Sequence, residues 1–176
     1  MAIRANHYDA AFEAYLRSAR VPYVVVDEAR RALWNDVSLK SLDFVVYSPT
    51  LGNLLVDVKG RRCPARGEAG RPWENWATAD DLDSIGRWEQ AFGSGFRGLL
   101  VFAYHLPYEP LVRQPTAMFA FRDRTYGFYG VWTDDYRRLM RTRSPKWETV
   151  WLPSGSFRDL RFALSDLATT PSVTAS

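Results

Sequence analysis

A chain of 176 residues, 47% hydrophobic and 15% aromatic, is long enough to bury a core, and its composition excludes a disordered or fibrous protein. The net charge of +3 permits nucleic-acid binding without requiring it, and the single cysteine, Cys63, excludes an internal disulfide framework and a cysteine zinc cage. No apolar run approaches the roughly 20 residues that span a bilayer, and the opening MAIRANHYDAAF lacks a secretory h-region, so a cytoplasmic protein is expected.

Residues 6–20 read as a helix: Asn6 is a suitable N-cap, and Tyr8, Ala11, Phe12, Tyr15 and Leu16 recur at helical spacing. Residues 21–27 (VPYVVVD) are rich in β-branched side chains and read as a strand. Residues 41–47 (SLDFVVY) and 53–59 (NLLVDVK) read as two further strands, joined through the turn SPTLG as a hairpin. A long Gly, Arg and Pro-rich loop covers residues 60–76, a length that suits a binding segment. Thr78 and Asp81 have capping-box spacing, which starts a helix running to about Phe92. Residues 95–105 (GFRGLLVFAYH) read as a buried strand. Strands at residues 117–122 and 126–132, a helix at 134–140, a strand at 148–152 and a last helix at 156–167 follow. The order α-β-β-β-α-β with an appended α/β extension predicts an α/β (α+β) fold, a mixed central sheet flanked by helices. One domain is expected over residues 1–167, its core at 6–105 and its extension at 106–167, with the small, polar residues 168–176 as a disordered tail.

The chemistry concentrates in the hairpin. The chain has 20 arginines but only three lysines, Lys40, Lys59 and Lys146, so each lysine is informative. Strand alternation sets Leu55, Asp57 and Lys59 on one face and Leu54, Val56 and Val58 on the other. A carboxylate and an ammonium group thus stand side by side in a segment otherwise built for burial, where isolated charges are costly. Asp43, amid Leu42, Phe44, Val45 and Val46, is a second carboxylate at a core position. Two such acids brought together repel unless a divalent cation lies between them, and hard oxygen ligands suit Mg²⁺ or Mn²⁺.

The pattern LDFVVY–SPTLG–NLLVDVKGR, an aspartate followed on a hairpin by Asp-X-Lys after an N-terminal helix, resembles the PD-(D/E)XK nuclease superfamily and its restriction-endonuclease-like αβββαβ core. The resemblance covers residues 6–105, with Leu42 where the superfamily's name has proline. It implies a metal-dependent hydrolase of phosphodiester bonds, acting on DNA. Asp43 and Asp57 would hold Mg²⁺ or Mn²⁺ with the Val58 carbonyl, and Lys59 would position the attacking water and offset developing charge. Glu13 would complete the site from the first helix, and Gln90, with Glu89 as competitor, would supply an accessory polar group from the second. A homodimer is compatible with such substrates.

The arginines that follow Lys59, namely Arg61, Arg62, Arg66 and Arg71, suit phosphate contacts; Arg137, Arg138, Arg141, Arg143 and Lys146 suit either an extension of that backbone-binding track or, the reading slightly favoured, a solvated basic face. Trp73 and Trp76 suit either base stacking or the core edge. His7 and His105, the chain's two histidines, give little support to a histidine metal site or a catalytic triad. Cys63 lies among arginines that would lower its pKa. Two alternatives accompany the nuclease reading: a non-catalytic nucleic-acid-binding or assembly module on the same fold, and an unrelated globular protein whose Asp57–Lys59 pair is structural.

Overall fold

The computed structural model describes residues 6–26, 32–34, 37–64, 68, 70–106 and 118–167. The expected tail at 168–176 and Arg66 lie outside these residues. Helix α1 (His7–Ser18) is followed by strand β1 (Tyr23–Val25), a small hairpin of β2 (Ala32–Trp34) and β3 (Val37–Leu39), then β4 (Phe44–Ser48) and β5 (Gly52–Arg61). A short β6 (Ala77–Thr78) leads into α2 (Ala79–Phe92), then β7 (Phe96–His105), β8 (Met118–Phe121), β9 (Arg124–Trp132) and α3 (Thr133–Leu139). Strands β10 (Arg141–Ser144) and β11 (Thr149–Trp151), helix α4 (Ser154–Leu160), β12 (Phe162–Ala163) and a 3₁₀ turn (Leu164–Leu167) complete the described chain.

The central sheet runs β1-β4-β5-β7-β9-β12, with β8 also on β9. It is mixed: β5 and β7 are parallel, while β4–β5 and β7–β9 are antiparallel. The parallel step needs a crossover, and α2 supplies it. Two apolar layers sandwich the sheet. On one face Ala11, Phe12, Tyr15 and Leu16 of α1 meet Phe44, Val46, Val56, Val58 and Val101. On the other, Leu82 and Ile85 of α2 and Tyr136 of α3 meet Val45, Leu55, Leu100 and Phe102. The alternation of β5 therefore sorts its residues: Val56 and Val58 face α1, whereas Leu55, Asp57 and Lys59 face α2.

Most predicted elements occur, with shifted ends. The Asn6 side chain caps α1 by accepting from Tyr8 N–H at 3.0 Å. Gly52, at φ +83°, closes the β4–β5 turn. The predicted helix at 156–167 is a correction: α4 ends at Leu160, and Phe162–Ala163 instead pair with Gly130 and Tyr129 of β9. That edge of β9 offers ladder hydrogen bonds that a continued helix would leave unmade. The β2–β3 hairpin, β6 and β10 have no counterpart among the predicted elements.

Gly98 fixes how closely α2 and α3 approach β7. Its N–H donates to Glu89 Oε1 at 2.6 Å and its carbonyl accepts from Thr133 Oγ1 at 3.2 Å. A Cβ there would lie 2.4 Å from Ile85 Cγ2 and 2.5 Å from Thr133 Oγ1. Gly98→Ala will therefore destabilise the protein by about 1–3 kcal/mol, the usual cost of overpacking, read as a lower midpoint in urea unfolding.

Candidate functional site

The site begins at the β4–β5 ladder. Phe44 pairs with Val56, and Asp43 N–H donates to the Val56 carbonyl at 3.0 Å. Asp43 is thus tied to β5 at the residue just before β4 begins. Asp43 Oδ2 accepts from Val58 N–H at 2.6 Å. Asp43, Asp57 and Lys59 are all buried at this hairpin.

A fourth member comes from α2. Lys59 Nζ lies 2.8 Å from Asp57 Oδ1 and 2.9 Å from Asp81 Oδ2. Asp81, only 2% exposed, is the capping-box residue of α2: its N–H donates to Thr78 Oγ1 at 3.1 Å, and its Oδ2 accepts from Thr78 N–H at 2.9 Å. The box is real, but its acid also faces the site. Asp81 Oδ1 further pairs with Lys40 Nζ. Lys40 is held beside α2 because Ser84 Oγ accepts its N–H at 3.3 Å and its carbonyl accepts from Trp88 Nε1 at 2.9 Å. Two of the chain's three lysines thus meet at Asp81.

Each charge answers to its neighbours. Burial pushes the Asp57 carboxyl up, against the pull of Lys59. Burial alone would lower Lys59, but Asp57 and Asp81 outweigh it and hold the ammonium above its ordinary value. Burial would likewise raise Asp81, yet Lys59 and Lys40 hold its carboxyl well below the usual range. Lys59 is therefore a cation at neutral pH, able to donate hydrogen bonds and stabilise negative charge, and unable to act as a base.

The loop before β6 is pinned by buried polar groups. Asn75 pairs with Leu152 like a strand residue, donating Nδ2–H to its carbonyl at 3.0 Å and accepting its N–H on Oδ1 at 2.8 Å. Tyr104 Oη donates to the Glu74 carbonyl at 2.7 Å, and Tyr136 Oη to the Asn75 carbonyl at 2.8 Å. These contacts locate β6, and hence the start of α2 that carries Asp81.

Other predicted residues lie elsewhere. Glu13 sits on α1, against the opposite face of the sheet, where its Oε1 accepts from Arg17 Nη2 and from Tyr23 Oη, each at 3.0 Å. The buried acid of α1 is Asp9, in its first turn. Gln90 is exposed on the outer side of α2 beside Arg87 and Gly93, and its competitor Glu89 binds Gly98; the α2 residue at the site is Asp81. Helical spacing explains the difference, since Gln90 lies nine positions beyond Asp81, half a turn away from its face. Arg61 turns inward, with its Nε and Nη2 donating to the Trp76 carbonyl at 2.8 and 2.5 Å. Arg62 and Arg71 are exposed and pair with Glu68. Trp73 packs edge-on to Tyr104 in the core, and Trp76 lies beneath the Arg61 guanidinium at 3.6 Å. Burial raises the Cys63 thiol, outweighing Arg62, so the expected lowering does not occur. His7 Nδ1 is 2.9 Å from Tyr126 Oη.

A hard cation bound here would take Asp43 and Asp57, the buried carboxylates of this hairpin, as its oxygen ligands. Among the described residues no group of three or more His, Cys, Asp or Glu side chains is arranged to hold a metal ion. Remaining positions would fall to backbone oxygen and water, which suits Mg²⁺, a cation that keeps several waters.

No protein-family model matches the chain, and no curated protein does. Among solved structures it is similar to Archaeoglobus fulgidus Hjc, a Holliday junction resolvase from an archaeal hyperthermophile, with a TM-score of 0.55 at 13% identity, over 93% of this chain and 98% of that one. No helix among the described residues is long and apolar enough to cross a membrane. Given the mixed central sheet flanked by helices, the β4–β5 hairpin and this structural likeness, the chain has a restriction-endonuclease-like fold.

Proposed function

We propose that this protein is a metal-dependent nuclease that hydrolyses phosphodiester bonds in DNA. The observation that carries the reading is the buried Asp57–Lys59 pair on β5, with the buried Asp43 carboxylate held on the Val58 N–H between them in sequence. Likeness of fold to a Holliday junction resolvase supports DNA as the substrate, and branched DNA as the first form to try. Mg²⁺ or Mn²⁺, held by Asp43, Asp57 and the Val58 carbonyl, would supply Lewis acidity and an activated water. Lys59, kept charged by Asp57 and Asp81, offsets negative charge developing at phosphorus. Asp81 and Lys40 set where that ammonium points. A cytoplasmic homodimer is part of the same proposal.

A specific observation favours a second reading, a non-catalytic DNA-binding module. Lys59 is closed between two carboxylates within 2.9 Å, an arrangement that a purely structural ion network would also adopt. One assay separates the two. Purified protein is incubated with plasmid, single-stranded and branched DNA in Mg²⁺ or Mn²⁺. Cleavage that stops on chelation is the expected result. Salt-sensitive binding with no cleavage in either metal establishes the second reading instead.

A further inference from the structure

The β10–β11 hairpin presents a large aromatic ring to solvent. Trp147 is 69% exposed, more than any other large exposed hydrophobic side chain among the described residues. An exposed indole of this kind offers a flat stacking face. The turn that carries it is well defined: Glu148 N–H donates to the Pro145 carbonyl at 3.3 Å, and Glu148 takes a positive φ of 48°. Proline at the start and a left-handed residue at the end restrict the turn before any partner arrives.

The surrounding charge is positive. Arg141, Arg143 and Lys146 are exposed on the same hairpin, and Lys146 Nζ lies 5.2 Å from the centre of the Trp147 ring. Arg143 reaches back over Trp76, 5.2 Å from its ring centre, and so links the hairpin to the body of the protein. The other basic residues nearby are engaged: Arg137 donates to the Leu82 carbonyl at 2.7 Å, and Arg138 pairs with Asp135 at 2.8 Å.

The hairpin is coupled directly to the proposed catalytic face. Strand β11 pairs with β6 through Thr149 and Thr78, and the Glu148 carbonyl accepts from Ala79 N–H at 2.9 Å. Thr78 caps α2, whose Asp81 binds Lys59. Trp147 thus follows the same rigid connection that positions Lys59.

We infer that the β10–β11 hairpin is a recognition element for DNA with unpaired bases: Trp147 stacks on an unpaired base, while Arg141, Arg143 and Lys146 hold the adjoining phosphates. This deepens the nuclease reading and rests on it for the proximity of the hairpin to a scissile bond. Stacking on one base tolerates any sequence and requires that the base be unpaired, so the substrate class is single strands, flaps or forks rather than uniform duplex.

The test measures binding without cleavage. Fluorescein-labelled single-stranded DNA, and the same strand annealed to its complement, are titrated with protein in EDTA and followed by anisotropy. Trp147→Ala is expected to weaken single-strand binding roughly 5- to 150-fold, the range for one stacked base. Duplex binding should change less than about twofold, and Trp147→Phe should recover most of the loss because it keeps a ring. The double variant Arg141→Ala/Lys146→Ala should weaken both forms and reduce the slope of log affinity against log salt by about 2. Unchanged single-strand affinity in Trp147→Ala, or equal loss on duplex, overturns the inference. Its failure is distinct from that of the nuclease reading: a wild-type enzyme that cleaves while Trp147→Ala binds normally refutes only the hairpin's role. Trp147-dependent binding without cleavage refutes only the nuclease.

Discussion

On the proposed nuclease reading, Asp57→Asn will lower metal-dependent DNA cleavage by at least about 10³-fold while leaving the protein folded, because the amide keeps the side chain's shape and removes the charge a cation would need. Burial already pushes the Asp57 carboxyl toward its neutral form, so a neutral amide costs the fold little. One amide oxygen can still accept from Lys59 Nζ, now 2.8 Å from the carboxylate. Single-turnover cleavage across a range of Mg²⁺ concentrations checks the result, with urea unfolding as the control for stability. Asp57→Asn that retains a rate within about tenfold of wild type at low Mg²⁺ removes Asp57 from the metal and leaves the site without its central ligand.

Lys59→Met will destabilise the fold by about 3–5 kcal/mol at neutral pH, the cost of stranding buried charge after one partner is removed. Methionine keeps most of the volume, so the loss reports electrostatics rather than a cavity. Asp57 and Asp81 would then face each other without the ammonium between them. The pH dependence follows from the signs. Asp81, held below its unfolded value, contributes stability that is present above about pH 4 and lost as pH falls through its folded pKa. Lys59, held above its unfolded value, contributes stability that is present below about pH 10 and lost as pH rises through its folded pKa. Asp57, raised by burial, works the other way from Asp81: the fold gains as this carboxyl takes up its proton on the acid side. The penalty for Lys59→Met should therefore be largest on the plateau between those limits and shrink on acidification. Urea midpoints at several pH values measure it, and a penalty that does not change with pH would falsify the charge network as its cause.

Two further substitutions separate positioning from chemistry. Asp81 touches both Lys59 and Lys40, but on the proposed reading neither Asp81 nor Lys40 contacts the reacting phosphate. Lys40→Met should move the acid limb of stability through Asp81 and alter cleavage far less than Asp57→Asn does. Equal loss of cleavage in the two variants would instead place Lys40 among the groups that act directly on the substrate.

Much of the core was legible because it depends on local rules. The cap at Asn6, the turn at Gly52 and the pairing of a β-branched run with its neighbour are determined within a few residues. Strand alternation alone put Asp57 and Lys59 on one side of β5, whichever partner they met there. The capping box at Thr78 and Asp81 was equally visible, yet only half its meaning was. Its second role requires the parallel crossover from β5 through α2 to β7, which returns the start of that helix to the face bearing Lys59. No spacing along the chain encodes that return.

Glu13 shows the opposite case. Its place on an apolar helix was readable, but which face of the sheet that helix covers was not, and the fold sets it across from Lys59. Arg61 likewise looked like a phosphate ligand until the Trp76 carbonyl claimed its guanidinium. The sequence by itself determined the Asp57–Lys59 pair, since a period of two leaves no other arrangement. The tertiary structure decided that Asp81 joins Lys59 and that Lys40 joins Asp81, because only packing brings residues from separate elements within reach of one another.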